Sequence, residues 1–212
     1  AVQAAGKIAI DINALGVDVL TLSAHKLGGP KGNGAIVFRT GALELSDKLL
    51  RGGGQERGWR AGTENVPGIV GFGVAAELAG AALASEAVRL AILRGTLEAG
   101  VLALAPDTAI FGRSVARLPN TSAFATPGIA AETALIMLDL AGVALSSGSA
   151  CSSGKVKRSH VLDAMGVDPA MSAGALRASL GWTTCESEIM QFLAAYAKAL
   201  AATKSREVQA AA

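Results

Sequence analysis

The stretch IAIDINALGVDVLTLSAHKLGGPKGNGAIVF, residues 8–38, decides the fold class. Three short apolar runs, Ile8 to Ile12, Val17 to Leu22 and Ala35 to Phe38, are each bounded by Gly, Asn, Asp or Pro and each read as a β-strand. Their near-continuous hydrophobicity predicts strands buried on both faces, as in a sheet covered by helices. The helical partner follows a glycine-dense loop, RGGGQERGWRAGTENVPG at residues 51–68, in which no regular element persists easily. Pro67 suits the first turn of a long helix through Ile69, Phe72, Val74, Leu78 and Leu83 to about Val101. Strands followed by such a helix predict an α/β fold.

Near Ser85 the composition gains charge, with Glu86, Arg89, Arg94 and Glu98 in quick succession. A domain boundary is expected there, dividing the chain into residues 1–85 and 86–212. The second part reads as α+β. Strands are expected at Ala109 to Gly112, Asn120 to Phe124 and Val143 to Leu145, and a helix at Glu132 to Leu140 that Gly142 ends. Ser159 is the expected N-cap of the short helix HVLDAMG, closed by Gly166. From Ala175 to Leu180 apolar residues alternate, with Leu176, Ala178 and Leu180 on one face and Arg177 and Ser179 on the other. Thr183 and Glu186 form a capping-box pattern for a last helix, Glu186 to about Lys204, followed by a frayed tail.

Bulk properties narrow the function classes. The 212 residues fit one large domain or two small ones. A hydrophobic share of 51% with 17% charged residues is wrong for disorder and ordinary for a buried core. A net charge of +2 without a Lys/Arg-rich run gives no argument for nucleic acid. The most apolar stretch, Val66 to Ser85, draws its apolarity from Ala and Gly and contains Glu77. It is expected to be a buried helix, with no membrane span. Cys151 and Cys185 make no disulfide framework and fit a reducing cytoplasm, and His25 and His160 have no ligand spacing to a cysteine, so no metal site is expected.

Three places carry chemistry. Lys26, in SAHK at the end of an apolar run and before glycines that admit a ligand, suits a Schiff-base lysine; the alternative is a surface lysine in a Gly-Pro turn, as Lys31 is. Cys151 lies in SSGSACSSGK, a loop of the smallest side chains that can carry a thiolate some distance. A buried small hydrophobe is the commoner fate of a free cysteine, and it is the expected one for Cys185. Arg177 suits bidentate binding of a carboxylate, with a solvated surface arginine as the alternative.

Taken together these residues resemble the cysteine desulfurases of the NifS and IscS type, within the class V aminotransferase family of fold-type I pyridoxal-phosphate enzymes. The matching segments are VQAAGK, SAHKLGGPKGNGA, GGGQERGWRAGTENVPGIVGFG, LPNTSAF, SSGSACSSG, SHVLDAMG and GALRASLG, in the family's order. The loop around Cys151 looks like that of the long-loop group. The resemblance implies the remnant of a mainly parallel large-domain sheet plus a smaller α+β domain that carries the catalytic cysteine. It implies pyridoxal 5'-phosphate bound through Lys26, with Ser23 and His25 on its phosphate. Gln3 would meet its phenolic oxygen, and Thr63 the phosphate of a partner subunit in a homodimer. Arg177 would bind the carboxylate of L-cysteine, and Cys151 would take its sulfur as a persulfide, releasing alanine and passing sulfur to a scaffold protein.

In the family a long stretch precedes VQAAGK and supplies most of the cofactor domain, including an aspartate on the pyridine nitrogen directly before the position of Ala1. The chain therefore reads as incomplete and inactive alone. Two rival readings stand beside it: a related enzyme such as a selenocysteine lyase or aminotransferase, and a non-catalytic fragment that dimerises or docks a scaffold.

Overall fold

The computed structural model describes residues 1–42, 47–147 and 159–210, with side chains to residue 203. The chain divides into two compact units, Ala1–Glu86 and Ala87–Ala212.

In the first unit, strands β1 (Val19–Ser23) and β2 (Gly34–Phe38) pair antiparallel, with Val19 opposite Phe38 and Ser23 opposite Gly34. The ten residues between them reverse the chain through Gly28 and Gly32, whose φ values of 86° and 82° only glycine adopts freely. Two sequence expectations fail here. Ile8 to Ile12 is not a strand but an irregular run with a turn at its end, and Asp11 caps that turn by accepting from the Asn13 amide at 2.8 Å. Aspartate side chains offer the backbone this alternative to a sheet ladder. Nor are the strands buried on both faces: Val19 is 43% exposed and Ile36 55%.

Helix α1 (Val66–Leu104) begins where Pro67 predicts, with the Asn65 side chain accepting from the Gly68 amide. Its sequence-expected burial is found only in its later half. Ile69, Val70, Val74 and Leu78 are all exposed, so the stretch expected to be a core helix is mostly uncovered by this chain. By length and composition alone α1 meets what a membrane-crossing helix needs.

The second unit is built on a four-stranded antiparallel sheet in the order β3 (Ala109–Ile110), β4 (Thr121–Ala125), β6 (Leu176–Ser179), β5 (Ser146–Ser147). Helices α2 (Ala131–Leu140), α3 (His160–Ala164), α4 (Pro169–Ala173) and α5 (Glu186–Ala210) complete it. Its core follows helical spacing on three helices: Leu90, Leu93, Leu97 and Val101 from α1; Ala131, Ala134 and Leu138 from α2; Ile189, Phe192, Tyr196 and Leu200 from α5. These meet Phe124, Leu176, Ala178 and Leu180 from the sheet. At the centre Phe124 stands edge-on to Tyr196, ring centroids 5.8 Å apart, while Phe192 stacks on Tyr196 at 5.6 Å. The fully buried Tyr196 hydroxyl shares a 2.6 Å hydrogen bond with Thr126, and burial pushes its phenol up while that bond pulls it back.

Local signals fare well in this unit. Ser159 caps α3 by accepting from the Leu162 amide, and Gly166 closes it at φ 73°. Gly142, at φ 75°, ends α2. The short strand expected at Val143 to Leu145 is found three residues later, at β5. The capping box of α5 is shifted by two residues: the Cys185 amide donates to Glu188 at 3.0 Å, while Thr184 instead accepts from the Gly181 amide. Cys185 is exposed there, against the expectation of burial. The helix α4 was not anticipated; Asp168 caps it by accepting from the Ala170 amide, with Pro169 at its first position. The tail expected to fray continues α5 to Ala210.

Close packing makes one glycine decisive. A Cβ on Gly174 would lie 2.5 Å from the Ile129 carbonyl oxygen, a backbone atom with no rotamer to yield. Gly174→Ala is expected to destabilise this unit by about 1–3 kcal/mol, read as a lower midpoint in denaturant.

Candidate active site

Ser23 ends β1, and residues Ala24–Lys26 form a single 3-10 turn. Ala24 is the anchor. Its side chain is fully buried, its amide donates to Asn33 O, and its carbonyl accepts from the amides of both Leu27 and Gly29 at 2.9 Å. Gly29 lies so close that a Cβ would meet Ala24 O at 3.1 Å and Ala75 Cβ at 3.3 Å. The turn is thus pinned from below, and it presents His25 and Lys26 outward, both exposed. The Ser23 hydroxyl and His25 Nδ1 share a 2.9 Å hydrogen bond that orients the ring. Lys26 was expected at the end of a buried strand; β1 is half covered at best, so the described residues of this chain leave its amine in solvent.

Segment 1–8 folds into tight turns beside this one. The Ala1 nitrogen donates to Thr21 O, and Gly6, at φ 70°, packs where a Cβ would lie 2.8 Å from Leu27 and 3.1 Å from Ala79. Gln3 is exposed on this segment. Lys7, which the sequence reading passed over inside VQAAGK, points back: its Nζ donates to the Lys26 carbonyl at 3.3 Å and to Ala5 O at 3.5 Å. Burial, followed by the charge of Lys26, holds the Lys7 amine below its ordinary 10.5.

Thr63 is exposed in the loop before α1. Among the described residues that loop holds the non-glycine residues with positive φ, Glu56 at 51° and Arg57 at 57°, followed by Gly58 at 79°. Two non-glycine residues in the left-handed region cost about 1 kcal/mol or more each and persist where the fold over-determines them. Arg57→Gly is expected to stabilise the first unit by roughly 1 kcal/mol, measured by denaturant unfolding. A cavity of about 530 Å³ lies against this loop between Phe38, Trp59, Arg60, Asn65 and Phe72; Ser23, His25 and Lys26 do not line it.

In the second unit Arg177 occupies the middle of β6, half-buried, with buried Leu176 and Ala178 turned to the core on either side. Its register partners are Ala123 on β4 and Ser146 on β5. Among the described residues its guanidinium has no hydrogen-bond or ion-pair partner. Strand β5 is the root of SSGSACSSG, so the pairing of Ser146 with Arg177 and of Ser147 with Leu176 fixes the start of the cysteine loop beside the arginine. Cys151 itself lies outside the described residues.

A buried charge cluster escaped the sequence reading. Glu98 on α1, 7% exposed, accepts from both terminal nitrogens of Arg117 at 2.8 and 3.1 Å and from Ser122 Oγ at 2.8 Å, with Arg94 Nε at 3.8 Å. Burial acts to raise the carboxyl, but the hydrogen bonds from Arg117 and Ser122 and the two positive charges hold it below its ordinary value. The cluster joins α1 to the segment that leads into β4 and so braces the sheet that carries Arg177. Arg89 does similar work at the other end of β6, donating to the carbonyls of Gly181, Trp182 and Thr184. Only i,i+4 spacing of Arg94 and Glu98 was visible in sequence.

Comparison with known proteins places this arrangement. The aminotransferase class-V family matches residues 1–192. A cysteine desulfurase of Sinorhizobium fredii is 45% identical over 193 residues, 91% of this chain and 49% of its own length. The cysteine desulfurase NifS of Azotobacter vinelandii is 46% identical over 189 residues, covering 89% of this chain and 46% of its own. Among solved structures, a NifS-like protein from Rickettsia africae superposes with a TM-score of 0.84 at 36% identity, over 94% of this chain and 52% of that one. The chain spans about half the length of the curated relatives it matches. It belongs to the aminotransferase class-V family, fold-type I pyridoxal-phosphate enzymes, and its similarity within that family is to the NifS-type cysteine desulfurases.

Proposed function

We propose that this chain is the C-terminal portion of a pyridoxal-phosphate-dependent cysteine desulfurase. The carrying observation is the pairing of Ser146 with Arg177, which roots the Cys151 loop beside a carboxylate-binding side chain. The residues around Lys26 fit the cofactor: a hydroxyl and an imidazole already hydrogen-bonded to each other suit a phosphate, and the adjacent primary amine suits its aldehyde. When bound, the cofactor acts as an electron sink for the bonds at the substrate's α-carbon. Lys26 holds the cofactor and, once displaced by substrate, takes the α-proton on Nζ. Arg177 binds the α-carboxylate of L-cysteine. The Cys151 thiolate attacks the substrate sulfur: an S–S bond forms, the Cβ–S bond breaks, and the products are alanine and a persulfide on Cys151. Gln3 and Thr63 complete the cofactor site, Thr63 from the second subunit of a homodimer.

In this reading residues 1–85 belong to the cofactor domain and 86–212 to the small domain that carries the sulfur loop, which delivers to a scaffold protein for iron–sulfur or thio-cofactor assembly. A reducing cytoplasm keeps the thiol available. The chain alone is inactive, a reading supported by the solvent-exposed Lys26 and by the uncovered apolar side chains of α1.

The test is co-expression with the N-terminal half of a NifS-type relative. The pair should show the visible absorbance of the cofactor–lysine adduct and release alanine from cysteine, while the chain alone shows neither. Absence of both in a folded complex would overturn the assignment, and robust turnover by the chain alone would overturn its dependence on a complement.

A further inference from the structure

We infer that Lys7 is a positioning residue for Lys26, clamping the carbonyl of that residue so that the reactive lysine leaves the turn in one fixed direction. The inference rests on the reading of Lys26 as the cofactor lysine.

A turn of three residues has little to hold it. Ala24 is fixed on both sides, through its amide to Asn33 and its carbonyl to Leu27 and Gly29. Those bonds secure the first residue of the turn and leave the third, Lys26, with its own carbonyl facing the segment 1–8. The partner it finds there is the Lys7 ammonium at 3.3 Å, nineteen residues earlier in the chain. A charged donor makes a stronger bond than an amide does, and it is the only side chain among the described residues that bonds to the backbone of Lys26.

Lys7 is itself held in place. Gly6 sits against Leu27 and Ala79 with no room for a Cβ, the Lys7 amide donates to Ala4 O, and Nζ has a second acceptor in Ala5 O. Packing therefore brings Lys7 to Lys26 with its position set by backbone rather than by a free side chain. The arrangement also puts two like charges close together; the Lys7 amine is held down first by burial and then by the charge of Lys26. Like-charged neighbours are unfavourable, so a fold that keeps them has a compensating bond, here the one to the carbonyl.

Two variants of the full 212-residue chain separate the ammonium from its aliphatic stem. Lys7→Met keeps the stem and loses the donor; Lys7→Arg keeps a charged donor. The first readout is hydrogen exchange of the Leu27 and Gly29 amides by NMR, which needs no cofactor. Exchange should quicken about tenfold in Lys7→Met and stay near wild type in Lys7→Arg. The second readout, made on the chain co-expressed with the N-terminal half of a NifS-type relative, traps pyridoxal phosphate with borohydride and measures labelling at Lys26 against Lys31. That ratio should fall about tenfold with Lys7→Met and recover with Lys7→Arg. Unchanged exchange in Lys7→Met, or loss in both variants alike, overturns the role of the ammonium. A wild-type chain in which Lys26 gains nothing over Lys31, even with the N-terminal half of a NifS-type relative present, counts instead against the cofactor reading, and the exchange data still decide the question of Lys7.

Discussion

Lys26→Met in the co-expressed complex is expected to lower alanine release by about 10³-fold or more and to abolish the visible cofactor–lysine adduct. Methionine matches the stem of lysine in length and apolarity, so the turn around Ala24 should stand and the Ser23–His25 pair with it. What disappears is the amine, which in the proposed reading both holds the cofactor and moves the α-proton. Cys151→Ala has a different signature. The adduct should remain, because the Lys26 amine and the Ser23–His25 pair are unaltered, while sulfur release from cysteine is lost. An aminotransferase would keep its activity in Cys151→Ala, so this pair of variants also separates the proposed desulfurase from that rival. Absorbance, alanine release and persulfide formation, measured on both variants, decide it. Retained adduct in Lys26→Met would sink the assignment of the cofactor lysine.

Glu98→Gln is expected to cost the second unit about 3–5 kcal/mol. The substitution is nearly isosteric, yet it leaves Arg117 and Arg94 positively charged around a neutral group in a site that is largely dry. The desolvation cost of the guanidinium groups remains, while the charge that offsets it is gone. A pH series on the wild type probes the same carboxylate from another direction. Its folded pKa is depressed below the ordinary 4.5, so its contribution to stability is fully present above that value and is lost as pH falls through the folded pKa. Stability measured by denaturant between pH 6 and acid should therefore decline more steeply in the wild type than in Glu98→Gln. Parallel curves would show that the cluster contributes no linked stability. Because the cluster braces β4 against α1, the variant should also weaken the substrate binding proposed for Arg177 on the neighbouring strand.

Much of the second unit could be read from local chemistry. The alternation of Leu176, Ala178 and Leu180 gave β6 and the outward face of Arg177, because a strand's two faces have period two. Ser159 and Gly166 bracket α3 by capping rules that depend only on nearby backbone groups. The misses share one cause. Ile8 to Ile12 has the composition of a strand, but Asp11 offers the backbone a turn, and among the described residues no neighbouring strand pairs with it. The first half of α1 has the composition of a core helix, and the described residues leave it uncovered. The α5 cap lies two residues later than expected, just after the carbonyls of Gly181, Trp182 and Thr184 that Arg89 ties down from another helix.

Residue types and their order by themselves determined the family and the α/β class, and they named the candidates for the site: Lys26 with Ser23 and His25, Cys151 in its loop of small residues, and Arg177 on a strand. These depend on chemistry each residue carries alone or with its near neighbours. Tertiary structure alone decided which of them meet. It placed Ser146 opposite Arg177, turned Lys7 back onto the Lys26 carbonyl across nineteen residues, and assembled Glu98 with Arg117 and Ser122. Such pairings depend on how strands register and helices pack, and they bring together residues whose separation along the chain carries no periodic signal. The exposure of Lys26 is likewise a property of packing, since the amine's surroundings are set by covering layers rather than by the turn that presents it.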